Sequence, residues 1–593
     1  MIELQVWAPA AERVEVVVNG RRHSMAAGER GLWSARVEAA PGDDYGFSID
    51  GADPLPDPRS PWQPNGVHGL SRILDHSTYE WSDSAWRGRP LASAVVYELH
   101  TGTFTREGTF DSAIPKLDHL VRLGVTHVEL LPVAQFPGDR GWGYDGVDLY
   151  APHESYGGPD GLKRLVDACH ARGLGVIMDV VYNHLGPAGN YLGAYGPYFT
   201  DRYATPWGQA VNFDGPGSVE VRKFFVDNAL TWLRDYHCDG LRLDAVHAIL
   251  DASAIHILEE MQLRVEELAT HLDRDLFLIA ESDLNDPRIV NRREAGGYGL
   301  DAQWSDDFHH ALHSVLTGER EGYYAHFGSV GDLAKALREA FVHAGTYSEY
   351  RGRIHGRPAT GLPGYRFLGY LQDHDQVGNR AVGERSSALM SPELLKVGAA
   401  LVLTSPFVPM LFMGEEWGAS APFLYFTAHE DPELGRACSE GRKREFAAFG
   451  WDPASIPDPQ DRSTFERSKL GWDELDDQPH ADLLEWHRRL IELRREWPEL
   501  ADGRLDRVAV EHGDSWLTMT RGRVTVACNF GESEADVPCR GGRVLMTSGK
   551  EPAIAAGSAR LEPASVTIWH RSPRRAVQDE APVASASGPR TVA

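Results

Sequence analysis

Within GLRLDAVH, Gly240 to His247, Arg242 and Asp244 stand two residues apart on an apolar strand. Side chains at that spacing share a face. A carboxylate beside a guanidinium that never loses its charge is held ionised, and in a partly dry site it is either half of a salt bridge or a nucleophile. Taken alone, the pair reads better as a structural ion pair at a strand end. Two more carboxylates change the balance: Glu281 follows the apolar run of LIAES, and Asp375 closes QDHD. Glycosidic bond cleavage needs one carboxylate to attack the anomeric carbon, a protonated one to hand its proton to the leaving oxygen, and a further negative charge to steady an oxocarbenium-like transition state. Burial and neighbouring negative charge both raise the pKa of Glu281, which suits a proton donor at neutral pH. For Glu281 alone, a helix cap or a salt bridge is an equal reading.

Three carboxylates so far apart in sequence converge only if regular elements carry them. Eight apolar, β-branched runs each end in a polar group: VVYELH (95–100), VTHVELLP (125–132), LGVIMDVVYNH (174–184), GLRLDAV (240–246), LFLIAES (276–282), LDAQWS (300–305), RFLGYLQDHD (366–375) and VPMLFMGEEW (408–417). Helical patterns such as GLKRLVDACHARG (161–173) and VRKFFVDNALTWLRDY (221–236) lie between them. Strand and helix alternating eight times predict an α/β fold, a closed (β/α)8 TIM barrel whose chemistry sits at the carboxyl ends of the strands. No glycine-rich phosphate fingerprint follows the first strand, which counts against a dinucleotide-binding sheet.

The chain has 593 residues, enough for two to four domains. Residues 1–90 alternate apolar and polar in short runs and predict an amino-terminal Ig-like β-sandwich. A proline-rich stretch, Asp53 to Pro64, is expected to run over the surface towards the catalytic barrel, 91–500, which carries a short excursion at 184–220. A second antiparallel sandwich is expected over 501–573, and 574–593 read as a disordered tail. Acidic residues outnumber basic ones by 86 to 59, and the net charge of −27 excludes nucleic acid and anionic membranes as partners. Five scattered cysteines without metal-ligand spacing, no signal peptide and no bilayer-length apolar run point to a cytoplasmic protein.

Four ordered signatures, DVVYNH (179–184), GLRLDAVH (240–247), the AES around Glu281 and QDHD (372–375), resemble those of the α-amylase superfamily of retaining glycoside hydrolases. Carried over, the resemblance implies that Asp244 is the nucleophile, Glu281 the acid/base and Asp375 the transition-state stabiliser. Arg242 would keep Asp244 ionised, His184 and His374 would hydrogen-bond hydroxyls of the sugar being cleaved, Tyr144 of GWGYDG would stack under it, and His247 would contact the leaving side. Trp207, Trp304, Asp306, Asp307 and Tyr347 are further candidates on the leaving side. The segments 182–215 and 372–385 most resemble the maltooligosyltrehalose trehalohydrolases. That likeness implies hydrolysis of the α-1,4 bond next to a terminal trehalose unit of maltooligosyltrehalose, releasing trehalose and a maltooligosaccharide, downstream of a maltooligosyltrehalose synthase. A glycogen branching enzyme and a carbohydrate-binding scaffold that has lost catalysis are the alternatives.

Two departures from the superfamily stand out. Asp373 replaces a frequent Asn, adding a negative charge that either raises Glu281 further or is paired with a cation. Many secreted members bind calcium through an Asn like Asn183, but the excursion here is short and lacks clustered oxygen ligands, so no metal and no cofactor is expected. Retention requires the two reacting carboxyl groups about 5–5.5 Å apart, against about 6.5–9.5 Å for inversion.

Overall fold

The computed structural model describes residues 1–447, 455–555 and 557–571, so the expected disordered tail lies outside the described residues. Eight parallel strands close into a barrel: β1 (Val96–Leu99), β2 (His127–Leu130), β3 (Gly175–Val180), β4 (Gly240–Leu243), β5 (Phe277–Ala280), β6 (Ala302–Trp304), β7 (Phe367–Gly369) and β8 (Val408–Phe412). Each pairs with the next, and β8 closes on β1 with Met410 opposite Val96. All eight expected runs therefore supply a barrel strand. Helix α1 (Gly158–His170) shows how the intervening elements form. Pro159 opens it, Asp160 stands in the first turn and His170 in the last, and Leu162, Leu165, Val166 and Cys169 bury one face.

The barrel interior changes character along the strands, and this positions the site. Val96, Ile177 and Ile279 belong to one apolar cluster with Leu368 and Met410. Two residues further along the same inward faces stand Glu98, Asp179 and Glu281, and on β4 Gly240 is followed by Arg242. Gly240 is required: a Cβ there would lie 2.2 Å from the Phe277 ring. A charged layer thus rests on an apolar plug at the carboxyl end.

Sheets flank the barrel at both ends of the chain. The amino-terminal pair comprises Ile2–Trp7, Leu32–Val37 and Ala26–Ala27 in one sheet, and Arg21–Ser24, Val14–Val18, Asp44–Ile49 and Ser71–Arg72 in the other. The carboxyl-terminal pair has five strands and three. A buried arginine joins it to the barrel, Arg521 donating to the carbonyls of Thr404, Ser405 and Leu500, beside Arg494 of the barrel's own last long helix, which donates to those of Leu403, Ser405 and Phe407. Both satisfy acceptors left open where the helix Pro392–Thr404 ends.

The proline-rich stretch departs from expectation. Pro56, Asp57 and Pro58 are buried between sandwich and barrel rather than lying over the surface. Proline brings no N–H to satisfy, and the polar groups present find partners. Tyr45 donates to Asp57 at 2.7 Å, Tyr195 to the Pro56 carbonyl at 2.7 Å, and Arg59 to Asp227 at 2.9 Å.

Candidate active site

A cleft of about 400 Å³ opens at the carboxyl end of the barrel, lined by Tyr144, His184, Trp207, Asp244, His247, Glu281 and Asp375 together with Trp142, Asp145, Asn379, Tyr425 and Thr427. The three carboxylates picked out from three different strands therefore meet. Arg242 organises two of them from below. Wholly buried, it donates through Nη1 to Asp244 Oδ1 at 2.8 Å and to Asp179 at 2.9 Å, and its Nη2 stands 3.7 Å from Glu281 Oε2. Burial opposes its charge, but Asp179, Tyr144, Asp244 and Glu281 outweigh that and hold the guanidinium well above its ordinary value.

Asp244 follows directly on the end of β4 and is gripped from a second side, Asn183 Nδ2 donating to its Oδ2 at 2.7 Å and to its carbonyl at 2.8 Å. Asn183 thus holds Asp244 through its NH2 group, while its oxygen faces His184 Nδ1. The next residue, Ala245, has φ +39°, unusual for a residue with a Cβ, and this turn aims its N–H at Glu281 Oε2, 2.5 Å away. Burial raises the pKa of Glu281 well above the ordinary glutamate value; Arg242 opposes this, and Asp244, Asp306 and Asp375 add to it. Asp375 sits at the mouth, its side chain 47 % exposed and accepting from Asn379 at 3.2 Å.

His374 ties the far wall together. Its backbone N–H and Nδ1 both donate to Glu98, at 3.0 and 2.5 Å, and its Nε2 donates to the Tyr144 hydroxyl at 2.7 Å. Tyr144 in turn donates to Asp179 at 2.7 Å. Burial would lower the imidazole, but Glu98, Asp375 and Asp373 outweigh it and lift it to about 10. Opposite charges therefore alternate from Glu98 through His374, Asp179 and Arg242 to Asp244. Such a site can protonate an oxygen from Glu281 and present Asp244 as a nucleophile beside a fixed cation.

A family-model match to the alpha amylase catalytic domain covers residues 78–195, one to carbohydrate-binding module 48 (isoamylase N-terminal domain) covers 1–63, and a domain of unknown function, DUF3459, covers 503–568. A malto-oligosyltrehalose trehalohydrolase of Arthrobacter ramosus is 55% identical over 560 residues, 93% of this chain and 96% of that one. The chain belongs to the malto-oligosyltrehalose trehalohydrolase family. A crystal structure from Salmonella typhimurium, provisionally named an α-amylase, is 39% identical and superposes with a TM-score of 0.89 over 96% of this chain and 97% of that one. The 1,4-alpha-glucan branching enzyme of Corynebacterium jeikeium is more distant, 28% identical over 460 residues, 70% of this chain and 61% of that one.

Within this trehalohydrolase-family fold the leaving-side candidates separate. Trp207 stacks flat on His184, ring centroids 4.5 Å apart and 6° from parallel, and His247 lines the cleft with Nδ1 3.9 Å from Asp283. Asp306 stands near Glu281 and accepts from Tyr370; burial pushes it up to about 7. Asp307 points elsewhere, because the N–H groups of Val342 and His343 and the amide of Asn285 converge on its Oδ2 at 2.7–2.9 Å. Trp304 is likewise no platform: it is 2 % exposed, and the Arg242 guanidinium lies 4.4 Å from its ring centre. Tyr347 is 62 % exposed and does not line the cleft. Asp373 caps the short helix His374–Gly378 through the Gln376 N–H; burial raises its carboxyl well above the ordinary value, Glu98 adds to this and His374 opposes it, so its charge interaction is with His374 and it is not among the main influences on Glu281.

The raised Glu281 has a cost in stability. A carboxyl whose folded pKa exceeds its unfolded value loses stabilisation as pH climbs from the ordinary glutamate range through the raised value. Glu281→Gln removes that loss. Its Tm is expected to match the wild type near about pH 4 and to exceed it increasingly towards about pH 8. A Tm difference independent of pH, measured by calorimetry, would contradict the assignment.

Proposed function

We propose that this protein hydrolyses the α-1,4-glucosidic bond next to the terminal trehalose unit of maltooligosyltrehalose, releasing trehalose and a maltooligosaccharide by double displacement. The observation that carries the reading is the meeting of Asp244, Glu281 and Asp375 in one cleft, the first two beside one buried guanidinium, in a family whose curated relative bears that activity in its name. Glu281 protonates the bridging oxygen while Asp244 attacks the anomeric carbon, and Asp375 steadies the charge that develops between them. The deprotonated Glu281 then activates the water that releases the glucan from Asp244. Tyr144 lies under the sugar, with His184 and His374 at its hydroxyls; Trp207, His247 and Asp306 face the departing trehalose.

We further propose the domain limits 1–90, 91–500 and 501–573, and a cytoplasmic reaction supplied by a maltooligosyltrehalose synthase. In support, the five cysteines are free, and among the described residues no helix is long and apolar enough to cross a membrane. The branching alternative differs only in passing the glycosyl group to a sugar hydroxyl, and the lower identity to the branching enzyme disfavours it.

Proton NMR of the newly formed reducing end tests the double displacement. The first anomer detected is expected to be α, with β appearing only as mutarotation proceeds. A β anomer at the earliest times would exclude a covalent intermediate on Asp244.

A further inference from the structure

An arm of the barrel, braced at its base by the amino-terminal sandwich, reaches the cleft. Between β3 and the helix Ser218–Arg234 the chain leaves the barrel as a hairpin, Phe199–Thr205 paired with Gly208–Val211, and Trp207 occupies its two-residue turn. Trp207 is 47 % exposed, more than any other described tryptophan. The base of the arm is narrow and closed. Asn212 Nδ2 donates to the carbonyls of Pro197 and Pro216 at 2.9 and 3.0 Å, and its Oδ1 accepts from Gly215.

Gly196 and Gly217 bracket that base, and both lie against one side chain of the sandwich, Trp7. A Cβ on Gly196 would fall 2.8 Å from the Trp7 ring, and one on Gly217 3.6 Å from it. The indole is 8 % exposed, is fixed by a 2.9 Å hydrogen bond to the Arg30 carbonyl, and meets Tyr198 of the arm edge-on at 5.2 Å.

We propose that Trp7 is a positioning residue for the reaction, wedged against the base of the arm so as to set where Trp207 lies over the cleft. The proposal rests on the reading of Trp207 as a sugar-facing group. Leverage gives it weight: the four-residue strand Gly208–Val211 puts the tip about 13 Å from the base at about 3.3 Å per residue, so a tilt of about 5° moves the tip roughly 1 Å. Displacements of about 1 Å among substrate-positioning groups already cost large factors in rate. The sandwich thereby takes part in catalysis without touching substrate.

The test is a double-mutant cycle on kcat/KM for maltooligosyltrehalose with Trp7→Phe, Trp207→Ala and the double variant. Trp7→Phe keeps an aromatic contact with Tyr198 but withdraws the indole from Gly196 and from the Arg30 carbonyl. It is expected to lower kcat/KM about fivefold, and the double variant to be no worse than Trp207→Ala, as residues acting through one contact require. Gly196→Ala, whose extended backbone accepts any residue, pushes the arm from the other side and is expected to behave in the same way. Trp33→Phe, altering an indole that bonds the Ala8 carbonyl within the same sandwich, is expected to leave kcat/KM unchanged. Wild-type rates in both Trp7→Phe and Gly196→Ala, or deficits that multiply with Trp207→Ala, would overturn the positioning role. A wild-type enzyme that releases no trehalose would instead overturn the functional reading.

Discussion

Asp244→Asn is expected to lower kcat by about four orders of magnitude or more while the protein stays folded and still binds maltooligosyltrehalose. The amide occupies the space of the carboxylate between Arg242 and Asn183 but cannot form the glycosyl bond. Arg242 keeps Asp179 at 2.9 Å, so its charge is not stranded. The deficit should lie almost wholly in kcat, because a nucleophile acts on the reacting state and adds little to ground-state binding. Rates measured beside a binding isotherm and a melting curve decide the matter. A variant with roughly a tenth of wild-type turnover would remove Asp244 from the mechanism.

Arg242→Leu is expected to be the most damaging single change to the fold of the site. It deletes a fully buried cation that faces Asp179, Asp244 and Glu281 and rests on Trp304. Buried carboxylates left without their partner cost about 3–5 kcal/mol, whereas a pair at the surface would cost less than about 1 kcal/mol. Chemical denaturation should therefore show a large drop in the midpoint together with loss of activity. A drop of less than about 1 kcal/mol would contradict the role of Arg242 as the organising charge.

The barrel was legible because parallel strands buried on both faces are written as near-continuous apolar runs, here closed in most cases by Asp, Glu or His. The same closure made Asp244, Glu281 and Asp375 visible one strand at a time. What stayed hidden depends on contacts between distant segments or on the direction of one side chain. Glu98 lies inside VVYELH, where a buried carboxylate is the one anomaly, but its partner His374 is 276 residues away. In sequence Asn183 reads as a calcium position, whereas its amide grips Asp244. Asp306 and Asp307 share the first turn of one helix, yet a step of one residue turns the side chain by about 100°, so one faces the cleft wall and the other the Val342 and His343 amides. Trp304 ends a strand and faces inward as Glu281 does, but its ring packs with Ala302 in the plug beside the Arg242 guanidinium. The buried proline stretch and the Trp7 wedge are tertiary contacts that no local pattern records.

The most direct measurement sets maltooligosyltrehalose against a plain maltooligosaccharide of equal length, with the purified protein and no added metal, and follows free trehalose and glucan products by chromatography. The account predicts rapid release of trehalose with much slower cleavage of the plain oligomer. Equal rates on both substrates, or transfer to longer branched products, would contradict it.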